Sequence, residues 1–357
     1  MPDLWLPPGP DPLTAAHRVE SWWVDLLNPD DVLLGRLDGV TGGQIDQSVG
    51  ATISGGGKIE VDDVGQGVDW LTIRVRPWWS VAGAEPWPLG VFLASAPTAL
   101  HTETGRAWSV ELLDKLVILD QDAVDGSYSL PAGTVVTTAV KAVIASAGET
   151  ATAITDSDET LTAGMVWPAG TSKLRIVNDL LAAINYFSLR CDGFGRYVAA
   201  PYIRPQDRPV ARAFAEGARA IHEAAFTRDQ DLAAIPNKVV LVATATGDTE
   251  SLVAVATNTD PASPFSYPSR DRWIVHTEEG VEATSQGVLD ALAARRLADL
   301  SSVTATLDIA HAAVPLDLND SVTLTSGGVA ARGVVQKMSL GLAVGALMRT
   351  TVREVAA

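Results

Sequence analysis

The residues that could do chemistry in this chain do not converge on a reaction. Five histidines, His17, His101, His222, His276 and His311, are spread along the sequence, and no two fall at the spacing of metal ligands. "HEAAF" at 222–226 starts like a zinc-protease helix, but that chemistry needs a second histidine four residues on, and Phe226 stands there. The single cysteine, Cys191, excludes an internal disulfide and a Cys-rich zinc module, and reads as a small core residue on a strand. "GATISGGGKIE" suggests a phosphate loop, yet Thr52 occupies the position of the leading glycine and Ile59 that of the magnesium-binding hydroxyl. "DGFGRYV" supplies Gly193 and Gly195 but has Val198 where a dinucleotide fingerprint needs its third glycine. The densest carboxylates, Asp62–Asp63 and Asp317–Asp320, read as turn formers before they read as a glycosidase pair. With no G-x-S-x-G elbow, no nucleophilic triad is indicated. The expectation is no catalytic, cofactor-binding or metal-binding residue, and no enzyme.

Aromatic residues offer a different kind of site. "SWWVD" places Trp22 beside Trp23, and "RPWWS" places Trp78 beside Trp79. Adjacent residues on a strand point to opposite faces, so one of each pair should meet a second surface, within the chain or on a neighbour. Trp22, Trp23, Trp78 and Trp79 are therefore the expected interface residues. Their rings could equally stack on sugars, as a receptor-binding protein would require, because aromatic faces anchor either kind of ligand.

Composition bounds the rest. The chain has 357 residues, 47% hydrophobic and 19% charged, which is enough for two or three domains with buried cores. Its formal charge of -17 excludes a free-standing nucleic-acid binder, which needs clustered Lys and Arg to neutralise phosphates. The N-terminus has neither a basic nor an apolar signal region, and no apolar run is long enough to span a membrane.

Periodicity sets out the elements that must hold these residues. Prolines, Pro2, Pro7, Pro8 and Pro10 among them, keep residues 1–25 extended as an arm. Residues 26–125 read as a β domain of short alternating strands, with an Asp38–Gly39 turn, a break at Gly55–Gly57 and a stop at Pro77. Residues 126–217 change period. A helix with Thr134 as N-cap carries Val136, Val140, Val143 and Ile144 on one face and ends at Gly148. A second amphipathic helix over "TSKLRIVNDLLAAINY" leads into a hairpin turning at Asp192–Gly195. Residues 218–357 return to β, with a turn near Gly247–Asp248, a Pro-rich loop at 257–272, a helix at 283–300 and a final meander. The two β segments suggest a duplicated module.

Three stretches in succession resemble a known family: "WSVELLDKLVILDQD" running on to "SYSLPAGTVVTTAVKAVIASAGE", then "LRIVNDLLAAINYFSLRCDGFGRYVAAPY", then "PLDLNDSVTLTSGGVAARGVVQKMSLGLAVGALMRTTVREV". They are similar to the tail hub proteins of long-tailed bacteriophages, also called minor tail or baseplate hub proteins, and span about Trp108 to Val355. The resemblance implies an α+β, mainly β fold, with two tail-tube-like β-barrel domains and an α+β domain inserted between them. It implies a homotrimer whose six barrels ring a DNA channel, and partners in the tail tube or distal tail protein and in the tip fibre or spike proteins. It also implies a location at the virion tail tip after assembly in the host cytoplasm, no cofactor, and, as the chain stops at Ala357, no fused peptidase. DNA would pass through without specific binding, along an acidic wall. The alternatives are a receptor- or carbohydrate-binding component of the tip, and a carboxylate-based hydrolase of the cell envelope.

Overall fold

Trp108, Val110 and Leu112 alternate with Ser109 and Glu111 along the strand Gly105–Asp114. Leu116, Val117 and Leu119 then bury the inner side of the helix Leu116–Gln121, as the change from a two-residue to a 3.6-residue period requires. This exit from a β sheet into a helix is a pivot of the computed structural model, which describes residues 11–15, 17–49, 51–103, 105–230, 235–243, 252–281, 286–300 and 305–355. The expected turn near Gly247–Asp248, the start of the expected 283–300 helix and residues 1–10 of the expected arm lie outside the described residues. The chain divides into two compact units, Met1–Phe226 with Asp308–Val352, and Thr227–Leu307 with Arg353–Ala357.

In the first unit, hydrogen-bonded strands follow the order Leu347–Glu354, Val329–Gly341, Val40–Ser48, Gly55–Asp62, Gly105–Asp114, Phe92–Thr102, Arg74–Val81, Glu20–Leu27 and Leu33–Arg36. Ser321–Ser326 lies off this path on Val329–Gly341, and Val210–Ala215 pairs with it in parallel. The fold is mainly β, as expected, but among the described residues no sheet closes into a barrel. The last meander instead joins the first β segment directly, with Lys337 opposite Ser48 and Gly341 opposite Gln44. Alternation shows which face of a strand is buried and leaves its partner open, so this pairing had no signature in either strand.

Two expected breaks belong to strands. Pro77 sits within Arg74–Val81, opposite Val24. Val24 turns its carbonyl the other way, to the Leu37 N–H at 2.8 Å, so the N–H that proline lacks falls at a non-bonded pair. Gly55–Gly57 likewise open the strand Gly55–Asp62. A Cβ on Gly57 would lie 2.2 Å from the Gln44 carbonyl oxygen, so glycine allows the neighbouring strand to approach.

Residues 116–199 build a separate core within the same unit. The helices Leu116–Gln121, Val136–Ser146 and Lys173–Ala183 bury Leu119, Val140, Ile144, Val177 and Leu180 together with Trp167 and Tyr197. Ser172 caps the last helix, accepting the Arg175 N–H at 3.3 Å. The expected cap Thr134 donates instead to the Pro131 carbonyl, and the carbonyl of Glu159 takes the Val136 N–H at 3.0 Å. A backbone group brought by the fold replaces the cap that the sequence indicated. Arg190–Cys191 and Tyr197–Ala199 form the hairpin.

In the second unit the strands Val253–Thr257, Lys238–Ala243 and Val275–Val281 make a sheet. Against it Leu289 and Ala293 of the helix Gln286–Leu300 pack on Val239, Leu241 and Ala254. The Pro-rich loop is organised rather than structureless. Its short helix Tyr267–Arg270 leads to Tyr267 stacked on Trp273 at 4.3 Å, and Asn237 accepts the Ile274 N–H and donates to the Arg272 carbonyl.

Candidate functional site

The tryptophan pairs occupy neighbouring antiparallel strands, Trp22 opposite Trp79 and Trp23 opposite Trp78. Alternation sends one row inward and one outward. Trp79 is 0% exposed, and half-buried Trp22 packs against the core that holds Val24 and Leu26. Trp23 and Trp78 lie on the other face, ring centroids 5.8 Å apart and planes 10° from parallel. The Arg36 guanidinium stands over Trp23 at 4.8 Å, and that of Arg76 over Trp78 at 5.1 Å. Trp78 Nε1 donates to Asp25 Oδ2 at 2.7 Å, and Arg76 pairs with the same oxygen at 3.3 Å. Phe194, from the tip of the Asp192–Gly195 hairpin, meets Trp78 edge-on at 6.0 Å. The indole faces that a sugar would stack on are thus engaged by each other and by guanidinium groups.

Beside this face lies a site with a faint sequence signal, a lone lysine in the apolar run "LLDKLVIL". Lys115 is 0% exposed. Its Nζ lies 2.5 Å from Asp31 Oδ2 and 2.6 Å from Glu149 Oε2. Arg74 completes a ring of two cations and two carboxylates, 2.7 Å from Asp31 and 2.6 Å from Glu149. Four separate segments supply these groups: the turn after the first strand, the start of Arg74–Val81, the sheet exit, and the end of the first long helix. Burial of ions is tolerable only when each charge is answered, and here each is answered twice. The Tyr197 hydroxyl donates to the Lys115 carbonyl at 2.9 Å, its ring lies 5.2 Å from the Lys115 Nζ, and burial pushes its pKa up. The hairpin closes the joint through glycine: a Cβ on Gly193 would meet the Pro88 carbonyl oxygen at 2.4 Å, and one on Gly195 would meet Val91 at 2.7 Å.

The remaining candidates resolve into structure. His222, expected at most as half of a metal pair, forms an isolated β-bridge with His311. His311 Nδ1–H donates to the Ala312 carbonyl and its Nε2 accepts from the Thr350 hydroxyl, both at 2.8 Å, which fixes one neutral tautomer. Burial, with adjacent His222 and more distant arginines, pushes its pKa down to about 4. The Gly65 N–H and the Arg106 guanidinium hold Asp63 below the usual carboxylate range. Asp320 accepts the Asp317 N–H at 2.8 Å, a local turn, and burial raises its pKa. Burial pushes the Cys191 thiol up, away from nucleophilic character. Among the described residues no cluster of His, Cys, Asp or Glu could hold a metal ion, and no helix is long and apolar enough to cross a membrane.

No family model matches the sequence, and no curated protein matches it. Solved structures do match. The chain is similar to a tail protein from Neisseria meningitidis MC58, with TM-score 0.65 and 13% identity over 94% of this chain and 97% of that one. It is similar to the 43 kDa tail protein of prophage MuSo2 from Shewanella oneidensis, with TM-score 0.63 and 13% identity over 92% and 98%. A Francisella PdpA–VgrG complex matches with TM-score 0.60 and 7% identity over 95% of this chain and 58% of that one. This chain has the fold of phage tail proteins. The likeness runs through nearly the whole of this chain, including the first β segment that precedes the stretches resembling the family in sequence.

Proposed function

We propose that this protein is a structural component of a phage tail, the hub at the distal end of the tail tube. Three copies form the ring, each lending two β segments, so that six tube-like wall segments surround the DNA channel and adapt a sixfold tube to a threefold tip. The tube or distal tail protein binds above and the fibre or spike proteins below, in a virion assembled in the host cytoplasm. The observation that carries this reading is the tail-protein fold, matched over 94% of this chain and 97% of the Neisseria protein. The charge of -17 supports the channel role, because a wall with few cations releases few counterions from DNA and does not hold it. The protein then works without catalysis, as a wall.

Imaging of the assembled particle tests the reading. Three copies around an axial pore at the tube end are expected. A single off-axis copy, or a position along the tube rather than at its end, would overturn it.

A further inference from the structure

We infer that the N-terminal arm, residues 11–15 and 17–18, is a strap held down beside a buried histidine pair, and that protonation of His311 in mild acid releases it. The joint lies at the end of the strand Thr306–Ala312. There His311, 0% exposed, forms a β-bridge with buried His222, and the Phe214 ring lies 4.6 Å from the first imidazole and 6.1 Å from the second. Arg18 donates from the arm to the carbonyl of Ala313, two residues beyond His311, at 2.5 Å. Farther along the arm Asp11 pairs with Arg212 at 3.1 Å, and Pro12 rests on Gly83, where a Cβ would lie 3.3 Å from that of Pro12. No side chain of the arm's turn, Pro12–Thr14, is fully buried. A terminal segment held by contacts this sparse opens well before a sheet does.

The charges around His311 decide what a proton does there. Its ring nitrogens are taken by the Ala312 carbonyl and the Thr350 hydroxyl, so no carboxylate bonds it. The groups whose charge bears on it are His222, Arg18 from the arm and Arg212 from the strand Val210–Ala215. The carboxylates on the surrounding elements are engaged or turned away. Glu20 holds Arg18 at 2.9 Å, Asp11 holds Arg212, Asp308 accepts from Thr351 on the opposite face, and Glu223 beside His222 is exposed. His17 is exposed too, and Arg349 and Arg353 alternate to the side away from Thr350. Arg18 Nε and His222 Nδ1 are buried without a hydrogen-bond partner among the described residues. Protonation therefore adds a third cation to a dry site where no carboxylate bonds it, which is costly. Lifting the arm is the smallest movement that admits water to the imidazole and takes one guanidinium away. Burial holds His311 at about 4, and water would return it toward the ordinary 6.5. An open strap thus binds the proton more tightly than a closed one, and opening gains about tenfold per pH unit below 6.5, toward a limit of roughly 300-fold below pH 4. Asp11 is not the trigger. Despite its desolvation, the Leu13 N–H and Arg212 keep its carboxyl below the usual range, so that pair persists while His311 titrates.

Hydrogen exchange of the full chain from pH 7.5 to 4.5, corrected for the intrinsic exchange rate at each pH, tests the strap. Its reporters are the arm amides of Leu13, Thr14 and Ala15, bonded within a turn too short to persist off the body. Their protection should fall roughly 70-fold across this range, while that of Gly105–Asp114 holds. His311→Gln keeps a donor for Ala312 and an acceptor for Thr350 but takes no proton, so its arm should show no such fall. Asp11→Asn weakens the tether to Arg212 and should lower arm protection at every pH while leaving the slope unchanged. Arm protection that stays flat in the unsubstituted chain overturns the strap. So does a fall in step with Gly105–Asp114, which would be global unfolding, and so does a response that survives His311→Gln. Should that variant fail to fold, nuclear magnetic resonance titration of the His311 ring in the unsubstituted chain decides. Opening that levels off where the ring finishes titrating supports the strap, and opening that runs on unrelated to the ring overturns it.

Discussion

Trp23 lies flat against Trp78, planes within 10° and centroids 5.8 Å apart, while the next residue along each chain, Trp22 and Trp79, faces the opposite side of the same two strands. One sequence motif, repeated, thus serves two purposes. The inner row fills the sheet's core, and the outer row forms a face bound by Arg36, Arg76, Asp25 and Phe194.

The two rows should differ in what their loss costs. Trp79→Ala empties a fully enclosed site and is expected to destabilise by about 3–5 kcal/mol. Trp78→Ala removes a half-exposed ring, whose stacking is worth about 0.5–1.5 kcal/mol beyond its buried area, and should cost less than half as much. Urea unfolding monitored by circular dichroism measures both. Equal losses would show that the outer face bears as much on the fold as the core does.

The Lys115 ring makes a second expectation quantitative. Glu149→Gln removes one carboxylate and leaves Lys115 and Arg74 facing Asp31 alone, which should cost roughly 3–5 kcal/mol. Lys115→Met alone leaves the opposite imbalance. Combining the two restores neutrality, with Arg74 still 2.7 Å from Asp31, so the double variant should be more stable than additivity predicts by about 0.5–3 kcal/mol. Strict additivity would mean that the four groups do not act as a unit.

These sites show what was legible in the sequence and what was not. Alternation placed Trp108–Leu112 in a strand, and the apolar face of Val136, Val140, Val143 and Ile144 placed a helix, because both are local consequences of backbone geometry. Pro77 and Gly57 look like breaks in the sequence for the complementary reason. Proline and glycine interrupt an isolated strand, and only the neighbouring strand shows that the missing N–H falls at a non-bonded pair or that the missing Cβ makes room. The pairing of Val329–Gly341 with Val40–Ser48 joins segments from opposite ends of the chain. The Lys115 ring draws on four segments, each with an ordinary charged residue. Neither leaves a trace in any single window. The lysine inside an apolar run was the one hint, and it indicated burial without naming partners.

His311 gives the fold a pH dependence of known sign. Its pKa is about 4 when folded and near the ordinary 6.5 when unfolded, so between these values the unfolded chain binds the extra proton. Stability from this group is complete above about pH 6.5, falls as pH drops toward 4, and is lost below that. The full effect is on the order of 3 kcal/mol. Protonation would place a second N–H on Nε2, which now accepts from Thr350, so the hydroxyl would have to rotate away. Unfolding midpoints of the unsubstituted chain and His311→Gln, compared from pH 7.5 to 4, check this: the difference between the two should change across the window. A constant difference would assign the acid sensitivity to other groups.

The hairpin tip supplies a test of whether the helical insertion is seated by fit. Gly193 has ordinary backbone angles, so alanine there meets no conformational penalty, only the Pro88 carbonyl oxygen 2.4 Å from its Cβ. Backbone atoms cannot swing aside as a long side chain can, so the hairpin must lift from the short strand Trp87–Pro88, which pairs with Arg74–Val81. Overpacking of this kind costs about 1–3 kcal/mol. The loss should be local first. Hydrogen exchange should quicken in Arg190–Cys191 and Tyr197–Ala199, and around Phe194 where it meets Trp78, before it quickens in Gly105–Asp114. Gly126→Ala is the matched control, because its Cβ would meet nothing within 4 Å and its backbone is not in the left-handed region. If Gly193→Ala and Gly126→Ala exchange alike, close contact at Pro88 does not hold the hairpin, and the Lys115 ring and Tyr197 seat it alone.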